Sequence, residues 1–357
     1  MLTVATPDEH HEASEVDTRR GQLLAGLSPA ADSNKVAQTL TAWVRVGLDQ
    51  LPQPADGATL QRWRALSEVA SHDLSLAKLF ESHVDALAIL KELGDTDVVP
   101  TGSTWGVWAA EPPDARVIIS ARKPERVTLT GKKSWCSGAA HLSHALLTVW
   151  AADGSGPFLA KVSLKQDGVS VSLDGWNAVG MAATGSVDVH FCAASATLVG
   201  NAGAYLDRPG FWHGGAGIAA CWYGGALRLA QCLRDVVSSP AARAGGNDVR
   251  HAALGKVDLA LHQTAAMLRA AAMWIDAHPR DDASVLALRV RMGAEECAVQ
   301  VLHQTGRALG AASFCKDAGY ARMAADLPVF IRQSGGERDA IAVGERAASG
   351  GVRGWEL

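Results

Sequence analysis

A chain of 357 residues can build two or three structural layers around a large core, and 48% apolar with 20% charged residues is an ordinary globular composition. The formal net charge of −4 comes without a basic stripe, which argues against a nucleic-acid partner. No run of roughly 18 uncharged apolar residues stands out as a membrane span; Gly210–Ala226 comes nearest but is rich in Gly and carries His213, so no membrane partner is expected.

Residues 1–20 are acidic and polar with no apolar signal core, so they read as a flexible tail, His10-His11 included, and a cytoplasmic location is expected. Helical spacing then marks Asn34–Leu48, with Ser33 as a possible cap, followed by Ala58–Ser71 and Leu74–Leu93. In the last of these Leu76, Leu79, Phe80, Val84, Leu87 and Leu90 form the apolar face. His83 lies on or beside it, where packing or catalysis could both account for a histidine. These helices make a domain over residues 1–98.

From about Trp105 the period changes to two. Val117–Arg122, Val127–Thr130, His144–Trp150, Phe158–Ser163, Val169–Leu173 and Ser186–Phe191 read as strands of an all-β domain over residues 99–205, a barrel or sandwich. Beyond Pro209 the pattern is helical again: Gly210–Val237, Val249–Ala277, Asp282–Gly310 and Ala318–Ala348, the last interrupted near Pro328 and Gly335-Gly336. These form a four-helix bundle over residues 206–357. Keeping helices and strands in separate runs gives an α+β fold and excludes a doubly wound sheet. The six cysteines form no C-x-x-C pair, so no metal site is expected and they read as buried free thiols. No glycine-rich phosphate loop is present.

The stretch with chemistry in it is Val127–Trp150, read as two strands around a polar turn, Gly131–Gly138. Trp135 could offer a flat face to a planar ligand and Ser137 a hydrogen bond to a ring atom. Equally, Trp135 could plug the end of the β domain while Ser137 caps the turn. "L-T-G-x-K-x-W-C-S-G" before an apolar strand resembles the flavin-binding turn of acyl-CoA dehydrogenases, and the helix–β–helix order matches that superfamily's layout.

The resemblance implies FAD between the β domain and the bundle, with Trp135 packed on the isoalloxazine and Ser137 near N5. Ala110-Glu111-Pro112 stands for the family's T-E-P signature, which puts Ala110 at the cofactor. Trp176–Met181 resembles the loop before the last strand. Arg250 is placed for the pyrophosphate. Gln304, Arg307 and Gly310 fall where the family's Q-x-x-G-G-x-G meets the cofactor. Family members share the flavin between subunits, and Gly210–Val237 is rich in small residues, so a homodimer or homotetramer is expected.

Desaturation of an acyl thioester needs a carboxylate within reach of the α-proton. The positions that carry it in the family fall here on Ile331 or Ile341, or on Gly214 or Gly215. The nearest titratable groups are His213 and Glu337, with Asp339 beside the latter, and His213 and Glu337 are the candidate catalytic residues. The resemblance thus implies an FAD-dependent oxidoreductase acting on the CH–CH bond of an acyl thioester, slow toward simple acyl-CoAs. A flavin monooxygenase on the same fold and a non-catalytic subunit are the alternatives.

Overall fold

Asp32 opens the first long helix, its carboxylate accepting from the Lys35 backbone N–H at 2.9 Å, and Val36, Leu40 and Trp43 bury one face of α1 (Ser33–Arg45). The computed structural model describes residues 17–24, 26, 32–95, 99–123, 126–172, 174–240, 248–350 and 355. Residues 17–24 are helical, so part of the expected tail is ordered, whereas His10-His11 lies outside the described residues. Asp73 ends α2 (Thr59–His72) and caps α3 (Leu74–Glu92), its side chain accepting from the Leu76 N–H. The start of α2 is held from far along the chain, where the Asp276 carboxylate accepts from the Thr59 N–H and hydroxyl.

Helix α3 is latched to the β domain. The Ser82 hydroxyl accepts from the Val107 N–H at 2.7 Å and His83 Nδ1 from the Trp105 N–H at 3.2 Å, while His83 Nε2 meets Asp49 at 3.1 Å. His83 is therefore a buried structural bracket that satisfies the edge of β1 (Trp105–Trp108). At the far end of α3, Glu92 accepts from Arg208 at 2.7 Å and from the Gly210 N–H at 2.9 Å, which ties it to the bundle.

The remaining strands are β2 (Val117–Arg122), β3 (Val127–Cys136), β4 (His144–Ala151), β5 (Phe158–Ser163), β6 (Val169–Val171) and β7 (Val187–Val199). Along one edge β4 pairs with β1 and then β2, and along the other with β5. The path through β2, β3, β7 and β5 returns to β4, so the sheet closes on itself as a barrel. The expected turn at Gly131–Gly138 is instead mostly strand, because β3 continues to Cys136 by bulging against β7 between Lys133 and Cys136.

After a short α4 (Ala204–Asp207) the bundle comprises α5 (Gly210–Ser238), α6 (Asp248–Ala277) and α7 (Ser284–Leu309). The expected fourth helix is in pieces: α8 (Ala311–Lys316), α9 (Ala318–Phe330), one 3-10 turn and α10 (Glu337–Ala348). Pro328 is accommodated inside α9, and the break comes at Ile331. The small residues of α5 face the chain's own helices: a Cβ on Gly224 would stand 2.2 Å from the Ser67 carbonyl oxygen of α2. Among the cysteines, Cys136, Cys221 and Cys297 are buried free thiols as expected, but Cys192 and Cys315 are exposed.

Candidate active site

A cavity of about 530 Å³ lies where α3, the barrel and the start of α5 meet, closed by the end of α9 and by Arg291 of α7. Its apolar walls are Trp108, Trp176, Phe211, Trp212, Ile218 and Phe330, with Trp135 at the rim.

The β3 bulge decides which way two neighbouring side chains point. Lys133 turns into the barrel and is wholly buried, its Nζ donating to the Thr148 hydroxyl at 2.6 Å, the Thr148 carbonyl at 3.2 Å and Glu111 at 3.3 Å. Burial holds Lys133 below the usual lysine range, against the pull of Glu111. Glu111 also accepts from the Thr148 hydroxyl and from Trp150 Nε1; burial pushes it up, but these bonds and the Lys133 charge together hold it below the usual carboxylate range. Two residues on, Trp135 has φ +60° and is 59% exposed. A bulky residue in the left-handed region costs on the order of 1–3 kcal/mol and is found where the surroundings impose it, often at functional sites. The K-x-W spacing thus gives one anchor inside the barrel and one flat face outside it.

Ser137 is 7% exposed and lies in a run of hydroxyls on the cavity wall: Ser137 Oγ to Ser186 Oγ at 2.7 Å, Ser186 Oγ to Thr184 Oγ1 at 2.8 Å, and Thr184 Oγ1 donating to the Met181 carbonyl at 2.8 Å. Met181 itself has φ +57°, and its carbonyl also accepts from Trp176 Nε1, while its N–H donates to the buried Asp326. The Trp176–Met181 loop thereby docks on α9, and Gly180 is obligatory there, since a Cβ would come within 1.9 Å of the Ala325 carbonyl oxygen.

Ala110, Trp135 and Ser137 line this one cavity. His213 does not: it is 2% exposed among buried residues of α5, its Nε2 has no hydrogen-bond partner among the described residues, and burial keeps its imidazole below the ordinary pKa. Glu337, in the first turn of α10, is also off the wall. Arg250 donates from Nε to the Ala308 carbonyl at 3.2 Å, which brings it beside the Gln304–Gly310 segment. None of Arg250, Gln304, Arg307 and Gly310 lines the cavity. Gln304 and Arg307 follow Arg291 on α7 by thirteen and sixteen residues, roughly 20–25 Å along the axis.

The wall carboxylates come instead from α3. Glu81 and Asp85, one turn apart, flank the latch residues Ser82 and His83. Glu81 pairs with Lys78 at 3.2 Å, yet burial pushes its carboxyl above the usual range and the Asp85 charge adds to this. Asp85 makes no hydrogen bond or ion pair among the described residues, and the absent side chain of Gly214 gives it room, since a Cβ there would lie 2.8 Å from Oδ1. The wall cations are all engaged: Arg208 with Glu92, Arg332 with Glu295 at 2.8 Å, and Arg291 with the Gln333 carbonyl at 2.9 Å. Sequence reading passed over Glu81 and Asp85 because paired carboxylates beside an apolar helix face look like a solvated edge. Their (i, i+4) spacing around Ser82-His83 was the available signal. Among the described residues no cluster of potential ligands could hold a metal ion, and no helix is long and apolar enough to cross a membrane.

No protein-family model and no curated protein matches the sequence. Solved structures do match its fold. KijD3 in complex with FMN and dTDP-3-amino-2,3,6-trideoxy-4-keto-3-methyl-D-glucose aligns with a TM-score of 0.77 at 18% identity, over 98% of this chain and 96% of that one. TdsC from Paenibacillus sp. A11-2, a dibenzothiophene monooxygenase, in complex with FMN and indole, gives 0.71 at 18%, over 88% and 96%. A probable acyl-CoA dehydrogenase from Mycobacterium abscessus gives 0.73 at 14%, over 96% and 99%. The chain therefore has the acyl-CoA dehydrogenase-like fold, with N-terminal helices, a central β-barrel and a C-terminal helix bundle.

Two expectations are corrected by these structures. The flavin in KijD3 and TdsC is FMN, which overturns FAD as the cofactor. The reading as an FAD-dependent dehydrogenase of an acyl thioester's CH–CH bond falls with it. In this chain Arg250, Gln304, Arg307 and Gly310, the residues expected at the far end of FAD, stand off the cavity.

Proposed function

We propose that the protein is a flavin-dependent monooxygenase that uses FMN and acts on a small, planar, largely apolar substrate. The observation that carries this reading is Trp135, held left-handed and exposed beside Ser137 on the wall of an aromatic cavity. A flat apolar face next to one directed hydroxyl fits a tricyclic ring with polar edge atoms, and strain at an exposed Trp has no structural benefit without something to pack on it. Trp135, Ser137 and Ala110 would hold the ring. FMN, once reduced, would supply the oxygen-activating chemistry. The KijD3 and TdsC complexes support the choice of FMN, and TdsC, a dibenzothiophene monooxygenase, supports that of a monooxygenase.

The chain's own part is to bind, orient and handle protons. Trp108, Trp176, Trp212 and Phe330 enclose the substrate and keep water from it. Asp85, which makes no hydrogen bond or ion pair among the described residues, accepts a proton from the substrate, and Glu81, kept protonated further up the pH scale, returns one. His213 and Glu337 have no part in this scheme.

The test is an anaerobic titration of purified protein with FMN and FAD, followed by oxygen uptake with reduced FMN and a panel that includes indole. FMN should bind more tightly than FAD, and a panel member should be recovered with one added oxygen atom. Tighter FAD binding would overturn the cofactor. Binding of neither flavin would favour a non-catalytic subunit.

A further inference from the structure

We infer that the hydroxyl run Thr184–Ser186–Ser137 makes this site a receptor for reduced rather than oxidised flavin, an inference that rests on the flavin reading above. Three hydroxyls bring three protons to three contacts: the Met181 carbonyl, Thr184 to Ser186, and Ser186 to Ser137. A carbonyl oxygen only accepts, so the Thr184 proton goes to Met181. The Thr184 oxygen then takes the Ser186 proton, and the Ser186 oxygen takes that of Ser137. No proton is left over, and Ser137 faces the cavity with lone pairs alone. All three side chains are at least nine-tenths buried, so the order is set by the protein rather than by solvent.

The end of the run is well anchored. The Met181 carbonyl is fixed by its left-handed turn, by Trp176 Nε1 and by the Asp326 bond to its N–H. Reversing the run would free the Ser137 proton but strip the Thr184 bond from that carbonyl. Oxidised isoalloxazine presents N5 as a bare acceptor, whereas two-electron reduction puts a hydrogen on it. An accept-only Ser137 bonds to the reduced ring and sets lone pair against lone pair with the oxidised one. Thr184 and Ser186 are therefore positioning residues that act through Ser137.

The experiment is a pair of titrations of the full chain under nitrogen, one with FMN and one with dithionite-reduced FMN, followed by tryptophan fluorescence. The wild type should bind the reduced form more tightly. Thr184→Val removes the donor to Met181 and frees the run to reverse, and Ser186→Ala leaves Ser137 without an internal acceptor. Each should cut the preference about tenfold, the order of one hydrogen bond. That corresponds to a fall of about 30 mV in the potential of bound FMN. Thr184→Ser keeps the hydroxyl and should keep the preference, which separates polarity from packing. A preference unchanged in both Thr184→Val and Ser186→Ala, with reduced FMN still bound, would overturn the inference while leaving the flavin reading intact. If Ser137→Ala alters neither affinity, the ring is not at this wall, and the flavin reading fails together with the inference.

Discussion

Trp135 carries a cost that its own side chain imposes, because an indole on a φ of +60° is disfavoured wherever it points. Trp135→Gly should remove that strain, and Trp135→Ala should keep it. The glycine variant is expected to melt above the alanine variant by about 1 kcal/mol of stability in the flavin-free protein, and both should lose FMN affinity. Equal melting of the two would show that the backbone is unstrained there. A second residue-scale prediction concerns Glu81, whose folded pKa is raised by burial and by Asp85. Its contribution to stability is full below the unfolded glutamate value near about 4.3 and is lost as pH rises through the folded value. Asp85→Asn removes the neighbouring charge, so the variant should lose less stability than wild type between pH 4.5 and 8, read from melting curves. A parallel loss would mean the two carboxylates do not interact. Trp135 and Ser137 were legible because a sequence motif with fixed spacing carries them. Asp85 was not, because its significance depends on Gly214, which is distant in sequence and opposite it in space.

At the scale of elements, the buried pair under β3 is the most consequential. Glu111→Gln would leave the Lys133 ammonium buried without its carboxylate. The expected loss is about 2–3 kcal/mol at pH 7 by urea denaturation, less than for a fully enclosed pair because Glu111 is partly exposed. The Glu111 folded pKa is depressed, so its stabilisation is present above the unfolded value and disappears as pH falls through the folded one. The gap between wild type and variant should therefore close in acid, and a gap constant down to pH 3 would contradict this. The glycines of α5 give a sharper contrast. Gly224→Ala meets a backbone oxygen that cannot yield, and about 1–3 kcal/mol of destabilisation is expected. Gly255→Ala in α6 meets nothing within 4 Å and should stabilise by about 0.5–1 kcal/mol. Periodicity exposes a helix rich in small residues but not whose backbone it admits. That is why Gly210–Val237 reads as a subunit interface and yet packs on α2. It also cannot reveal a bulge, since Gly131-Lys132-Lys133-Ser134 has turn-like composition while it extends along β7.

At the scale of the molecule, the sequence made the order helices, barrel, bundle plain, because changes of hydrophobic period are long-range and survive local irregularity. Assembly is a separate matter. Leu259 and Met273 of α6 are 56% and 69% exposed, so this chain's own bundle does not cover them. A homodimer or homotetramer is the expected result of light scattering at micromolar concentration, and a stable monomer would count against it. The latch between α3 and β1 has a further consequence, in the order of opening. The amides of Trp105 and Val107 belong to the barrel by position, yet their partners are helix side chains. In native-state hydrogen exchange they should therefore report on the helical unit, with free energies of opening that follow α3 and depart from those of β4 beside them. Opening of that seam would part the wall that carries Asp85 and Glu81 from the wall that carries Trp135 while both remain folded.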